Sequence, residues 1–167
     1  QIFNQILKLI DEAQTTIVLD MFLFNDEVGS SKISHDKLTQ NLTEALIVKK
    51  RMTPQIEIKV ITDPINSVYG GIAPEHYRQL RQAGIEVIET DLTALRASNP
   101  LWSGFWYLCC QGVGNNAEKG WLPNPFGDEK ITLRSYLSLF NFKANHRKTV
   151  VVDTLEGWKT LVTSMNP

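Results

Sequence analysis

Over its first 92 residues the chain repeats one pattern, in which a stretch with apolar residues at helical spacing gives way to a short apolar stretch with strand periodicity. In "QIFNQILKLIDEA" the residues Ile2, Ile6, Leu9, Ile10 and Ala13 recur at helical spacing, and "TTIVLDMFLF" follows as an apolar strand. The next helix begins near Ser34 or Asp36, either of which can cap it, with Leu38, Leu42, Ala45 and Leu46 on one face. "QIEIKVITD" alternates as a strand, "APEHYRQLRQAG" is a helix starting at Pro74 and stopped by Gly84, and "IEVIETD" is a third strand. Strands separated by helices imply parallel pairing. The expected fold class is therefore α/β, a layered sheet with mainly parallel strands flanked by helices.

Beyond Leu92 the pattern loosens. The segment from about 95 to 128 is rich in glycine and holds three of the four tryptophans, so it reads as a long irregular excursion from a single domain spanning 1–167. Regularity returns with "DEKITLRSYLSLFN", a helix carrying Ile131, Leu133, Tyr136, Leu137 and Phe140, followed by the strands "NHRKTVVVD" and "WKTLVTSMNP".

At 43% hydrophobic and 21% charged residues the composition is that of an ordinary globular domain, and a net charge of −1 supplies no global attraction to nucleic acid. Cys109 and Cys110 are immediate neighbours, badly placed to bridge one another, and imply no disulfide framework. No run of 18 apolar residues and no signal-peptide pattern occurs. The opening without an initiator Met suggests a piece cut from something longer, and the compartment stays open.

"NHRKTVVVD" carries the chemistry. Residues two apart on a strand share a face, so His146 and Lys148 look one way, and Arg147 and Thr149 the other. Val150, Val151 and Val152 suit a strand buried on both sides. Two potential cations side by side in low dielectric repel unless an anion sits between them, and a phosphate diester fits. The lysine would neutralise its oxygens, and the imidazole would attack phosphorus or move a proton. His35 and Lys37 repeat the H-x-K spacing on a helix start, where residues two apart do not face each other, and they read as solvated. His76 reads as a surface helix residue.

His146, Lys148 and Asp153 match H-x-K-x(4)-D, and in this the chain resembles the phospholipase D superfamily, whose HKD motif has that form. "TSMNP" is similar to the serine-rich segment ending in Asn that follows the motif there, and "NHRK" before a valine-rich strand is similar to the cardiolipin synthase and bacterial phospholipase D-like branches. The resemblance implies a phospholipase D-like half-domain that hydrolyses or transfers a phosphatidyl group through a phosphohistidine intermediate, with no cofactor and no metal. His146 and Lys148 would be catalytic, Asp153 would support the site rather than react, and Lys148, Ser164 and Asn166 would hold the substrate phosphate. One HKD motif is present where the family builds its site from two. The second half would come from a missing C-terminal region or from a homodimer mate, and the fragment alone is expected to be inactive.

The resemblance leaves the substrate open between phospholipid and nucleic acid. "LWSGFWYLCC", with Trp102, Phe105, Trp106 and Tyr107, suits either a lipid-facing loop in contact with a membrane surface or a segment packed on the core. A nuclease would draw on Lys130, Arg134, Lys143, Arg147 and Lys148, opposed within that span by Glu129. The aromatic segment and the near-neutral charge favour phospholipid over nucleic acid. A non-catalytic interaction half-domain is the third reading.

Overall fold

The computed structural model describes residues 2–25, 38–97, 99–112, 114–141 and 143–164. Five strands form one mixed sheet in the order β3-β2-β1-β4-β5. β1 (Thr16–Met21), β2 (Glu57–Thr62) and β3 (Glu86–Glu89) run parallel, joined by α2 (Leu38–Met52) and α3 (Glu75–Gln82). β4 (Lys148–Thr154) returns antiparallel to β1, and β5 (Gly157–Val162) forms a hairpin with it. Parallel pairing thus holds for the first three strands, as the alternation of periods predicts. It does not extend to the motif strand, because the long insertion brings the chain back to the end of the sheet at which β1 finishes.

One face of this sheet is dry. Ile6 and Ile10 of α1 (Ile2–Glu12), Leu42 and Leu46 of α2, and Tyr77 and Leu80 of α3 pack with Ile17, Leu19, Ile58, Val60, Val150 and Val152. The apolar residues of α1 recur at helical spacing, so docking one stripe buries them together. Gly84, with φ of +78°, ends the α3 region in the left-handed conformation that glycine adopts without penalty. The opposite sheet face carries Thr16, Val18, Thr149, Val151 and Asp153, all half-buried, so the valine run is fully buried on one side only. Ser34 and Asp36, the expected caps of α2, lie outside the described residues.

The excursion is more ordered than its composition suggests. α4 (Pro100–Cys109) begins with Pro at its first position and with Asn99 capping through Oδ1 to the Trp102 amide. The expected helix over 128–141 shrinks to α5 (Leu133–Ser138) with a 3-10 turn at Leu139–Asn141. Ile131 sits before α5, pairing with Leu122 as a β-bridge and packing with Val68 and Ile72 in a second small core. The sulfurs of Cys109 and Cys110 are joined, which closes a ring between neighbours and ties no separate elements together.

Asp153 is placed at the far end of β4 from Lys148. Four strand residues lie between them, and the five steps from one to the other span a rise of roughly 17 Å. Its carboxylate accepts the Thr15 amide, the Thr15 hydroxyl and the Thr16 amide at 2.7–3.1 Å, closing the turn between α1 and β1. Burial alone would push its pKa up, but these hydrogen bonds outweigh it and hold the carboxyl below its ordinary value. Stability from such a depressed pKa is fully present above the unfolded carboxylate value and lost as pH falls through the folded one. Asp153→Ala is expected to cost about 1–3 kcal/mol near neutral pH in chemical denaturation. Its deficit against the parent should shrink below about pH 4; a deficit unchanged to low pH would contradict this origin.

Candidate functional site

Parallel strands present the crevice for a ligand at their carboxyl ends. Met21 of β1, Thr62 of β2 and Glu89 of β3 finish at one end of the sheet, and β4, running the other way, begins there with Lys148 opposite Met21. His146 stands just before this strand. The alternation that puts Lys148, Val150 and Val152 on the core face therefore buries the lysine where the hydrophobic layer ends.

Lys148 is 5% exposed. Its Nζ lies 3.2 Å from His146 Nδ1 and 3.1 Å from Nε2, so either tautomer of the exposed imidazole offers it an acceptor. Phe22, immediately after β1, lies under both groups, with its ring centroid 4.6 Å from that of His146 and 5.3 Å from the ammonium. None of the ion pairs among the described residues involves Lys148. Among the described residues this buried ammonium has an imidazole and an aromatic face for partners and no carboxylate of the kind that normally accompanies a buried cation.

The supporting residues are ones that sequence reasoning did not single out. Asn145 donates its backbone N–H to Asp63 Oδ2 at 2.7 Å, and its side chain to Asp20 Oδ1 at 3.3 Å and Thr90 Oγ1 at 3.2 Å. One residue thereby ties the approach to His146 to the ends of all three parallel strands. Arg147 faces the other way, as expected, with Nη1 3.8 Å from Asp20 Oδ2. Burial pushes the carboxyls of Asp20 and Asp63 upward, against the opposing pull of Arg147 and Asn145 on the first and of the Ile65 and Asn145 amides on the second. Asn66 anchors the segment after β1, accepting the Phe24 amide and donating to the Phe22 carbonyl and the Thr62 hydroxyl. An aspartate closing both "TIVLD" and "KVITD", at the carboxyl ends of parallel strands, was the available signal.

The structure thus brings together His146 and Lys148, and not Asp153. Ser164 is exposed and follows Thr163, whose amide bonds the Lys148 carbonyl, so it lies at this end of the sheet. Asn166 lies outside the described residues, as do His35 and Lys37. His76 is more than a surface residue: it is half-buried, its ring packs against Phe24 and Tyr77, and its Nε2 meets the Phe24 carbonyl at 2.7 Å.

Comparison with family models finds no match to this chain, nor does comparison with curated proteins or with solved structures.

A buried cation held without a carboxylate costs stability, so a position kept for ligand binding should improve when the charge is removed. Lys148→Met, nearly isosteric and apolar, is expected to raise folding stability by about 1 kcal/mol in denaturant titrations. A loss of similar size would mean that the ammonium serves the fold.

Proposed function

We propose that this chain supplies one of two HKD motifs of a phospholipase D-type site acting on phospholipid phosphodiesters, by hydrolysis or phosphatidyl transfer. The observation that carries the reading is the buried Lys148 ammonium, paired with no carboxylate among the described residues, beside the exposed His146 imidazole. In the ligand-free arrangement the ammonium donates to the imidazole nitrogen. An incoming phosphodiester offers that ammonium a stronger, charged acceptor and so releases the nitrogen lone pair for attack. A bond then forms from the imidazole nitrogen to phosphorus as the ester P–O bond breaks. The departing alkoxide takes a proton from a second imidazole, and water or another alcohol, giving its proton back to that imidazole, displaces His146 from phosphorus. The second imidazole belongs to a second motif, outside this sequence or on a second copy related by a twofold axis.

Two observations favour lipid over nucleic acid. The cations that a nuclease groove would need do not form an exposed track along a strand: Lys143 and Lys148 are 7% and 5% exposed, and Arg147 is drawn towards Asp20 at 3.8 Å. In α4, moreover, Leu101, Phe105 and Leu108 recur at positions i, i+4 and i+7 with exposures of 90%, 55% and 92%. An exposed apolar stripe of this kind suits contact with a membrane interface. The tryptophans face inward instead, Trp106 buried and Trp102 packed against Phe105 and Phe140. Among the described residues no helix is long and apolar enough to cross a membrane.

The full-length protein is expected to cleave phosphatidylglycerol in vesicles in the presence of EDTA, and to yield an acid-labile phosphohistidine in rapid-quench samples. His146→Ala should lower the rate at least about a hundredfold and remove the trapped species. Activity abolished by EDTA, undiminished activity in His146→Ala, or preferential cleavage of single-stranded DNA with steep salt dependence would each sink the assignment.

Replacing Leu101 and Leu108 together by Ser should weaken vesicle binding by roughly tenfold or more while leaving hydrolysis of a small soluble diester unchanged. Trp106→Ala should instead lower folding stability. Vesicle binding indifferent to the double replacement would remove α4 from the membrane.

A further inference from the structure

Lined by neither His146 nor Lys148, a cavity of about 300 Å³ opens between the end of β3, the inner side of α4 and the start of α5. Its lining includes Glu89, Trp106, Tyr107, Arg134, Asn141 and Lys143. Lys143 lies three residues before His146, so their Cα atoms are at most about 11 Å apart. The cavity therefore flanks the candidate site without sharing its chemistry.

Two cations face it whose hydrogen-bond partners among the described residues are neutral, although the Asp91 carboxylate lies near enough to Lys143 to interact with it electrostatically. Lys143 Nζ donates to the Leu95 carbonyl at 2.6 Å and to the Tyr107 hydroxyl at 2.9 Å, which leaves one of three ammonium protons unassigned. Arg134 lays its guanidinium 5.6 Å from the Trp106 ring centroid and donates through Nη2 to the Gln111 carbonyl at 3.2 Å, while its buried Nε has no hydrogen-bond partner. Neither residue takes part in an ion pair among the described residues. Glu89, the single carboxylate among the described lining residues, belongs to an exposed residue.

We propose that this cavity binds a small phosphate monoester bearing hydroxyl groups, of the size of a glycerol phosphate. The planar fork of Arg134 and the remaining proton of Lys143 suit phosphate oxygens. Glu89 supplies an acceptor for hydroxyls, Asn141, whose Oδ1 already accepts from the Ser103 hydroxyl, supplies amide donors, and Tyr107 supplies an apolar wall. A nucleobase is disfavoured, because Trp106 is 6% exposed and already covered by the Arg134 guanidinium. The inference is independent of the phosphodiesterase reading.

Calorimetric titration of the full-length protein with glycerol 1-phosphate, glycerol and inorganic phosphate tests it. Glycerol 1-phosphate should bind, more tightly than inorganic phosphate, and glycerol should not. Arg134→Gln should weaken that binding at least about tenfold, while His146→Ala leaves it unchanged. Lys143→Met should act in the same direction as Arg134→Gln, and the half-buried Arg134 keeps the test standing if the Lys143 variant does not fold. Phosphatidylcholine vesicles with and without phosphatidylglycerol phosphate, whose headgroup carries a terminal phosphate monoester beside a free hydroxyl, distinguish the source of the ester: Arg134-dependent binding to these vesicles identifies a lipid headgroup, and Arg134-dependent binding of the soluble ester alone identifies a free metabolite. The proposal is overturned by binding to neither, by binding that Arg134→Gln leaves intact, by loss in His146→Ala, or by inorganic phosphate binding as tightly as the ester.

Discussion

A lysine ammonium at the rim of a hydrophobic layer, solvated by an imidazole and an aromatic face, is the arrangement on which the rest of this structure turns. The alternation of β4 leaves it no choice of side, since Val150 and Val152 must face the core and Lys148 shares their parity. Its position at the first residue of the strand lets the ammonium reach the edge, where His146 is exposed. A register shift of one residue would turn Lys148 to the other face and drive Thr149 and Val151 inward. The pairing of β4 with β1 over residues 148–152 therefore places His146 and Lys148 as well as the strand.

A second polar layer holds the approach to that pair. Asp20, Asp63 and Thr90 come from the ends of three different strands and meet at Asn145. Both carboxyls are pushed upward by burial, so in their charged forms they work against folding and are tolerated because Asn145, Arg147 and backbone amides partly offset the cost. Such a layer restricts residues 143–147 to one path between the cavity and His146. It also gives Asn145, next to His146, a structural role through its bonds to three strand ends.

Legibility from sequence followed the range of the interactions. The helices α1 and α3, the parallel strands and the shared face of His146 and Lys148 rest on local periodicity, which one chain displays directly. What escaped depended on contacts distant in sequence. The antiparallel return of β4 requires knowing how the chain crosses residues 90–147 between β3 and β4. The remoteness of Asp153 from the site follows from the length of one strand and could have been counted, but its partners Thr15 and Thr16 are 137–138 residues away. The helix α4 was hidden because glycine, tryptophan and tandem cysteine resemble loop composition, although "NP" before an apolar stretch was a start signal.

α4 then acquires a meaning that composition alone could not assign. A lipid-facing segment and a core-packed one do not exclude each other, because a helix has two faces, and here one packs inward while the other is exposed. Ser103 and Trp106 turn inward, and Trp106 and Tyr107 line the cavity that Arg134 and Lys143 charge. Leu101, Phe105 and Leu108 turn outward with nothing among the described residues covering them. The element that would meet a bilayer on one side thus walls, on the other, a cationic cavity whose Lys143 lies three residues from His146. On the proposed reading, a lipid drawn out of the interface past α4 would encounter cationic donors before it reached the imidazole. Anchoring, headgroup recognition and phosphoryl chemistry would then lie in sequence along one path and reside in separate residues, so that each could be impaired without the others.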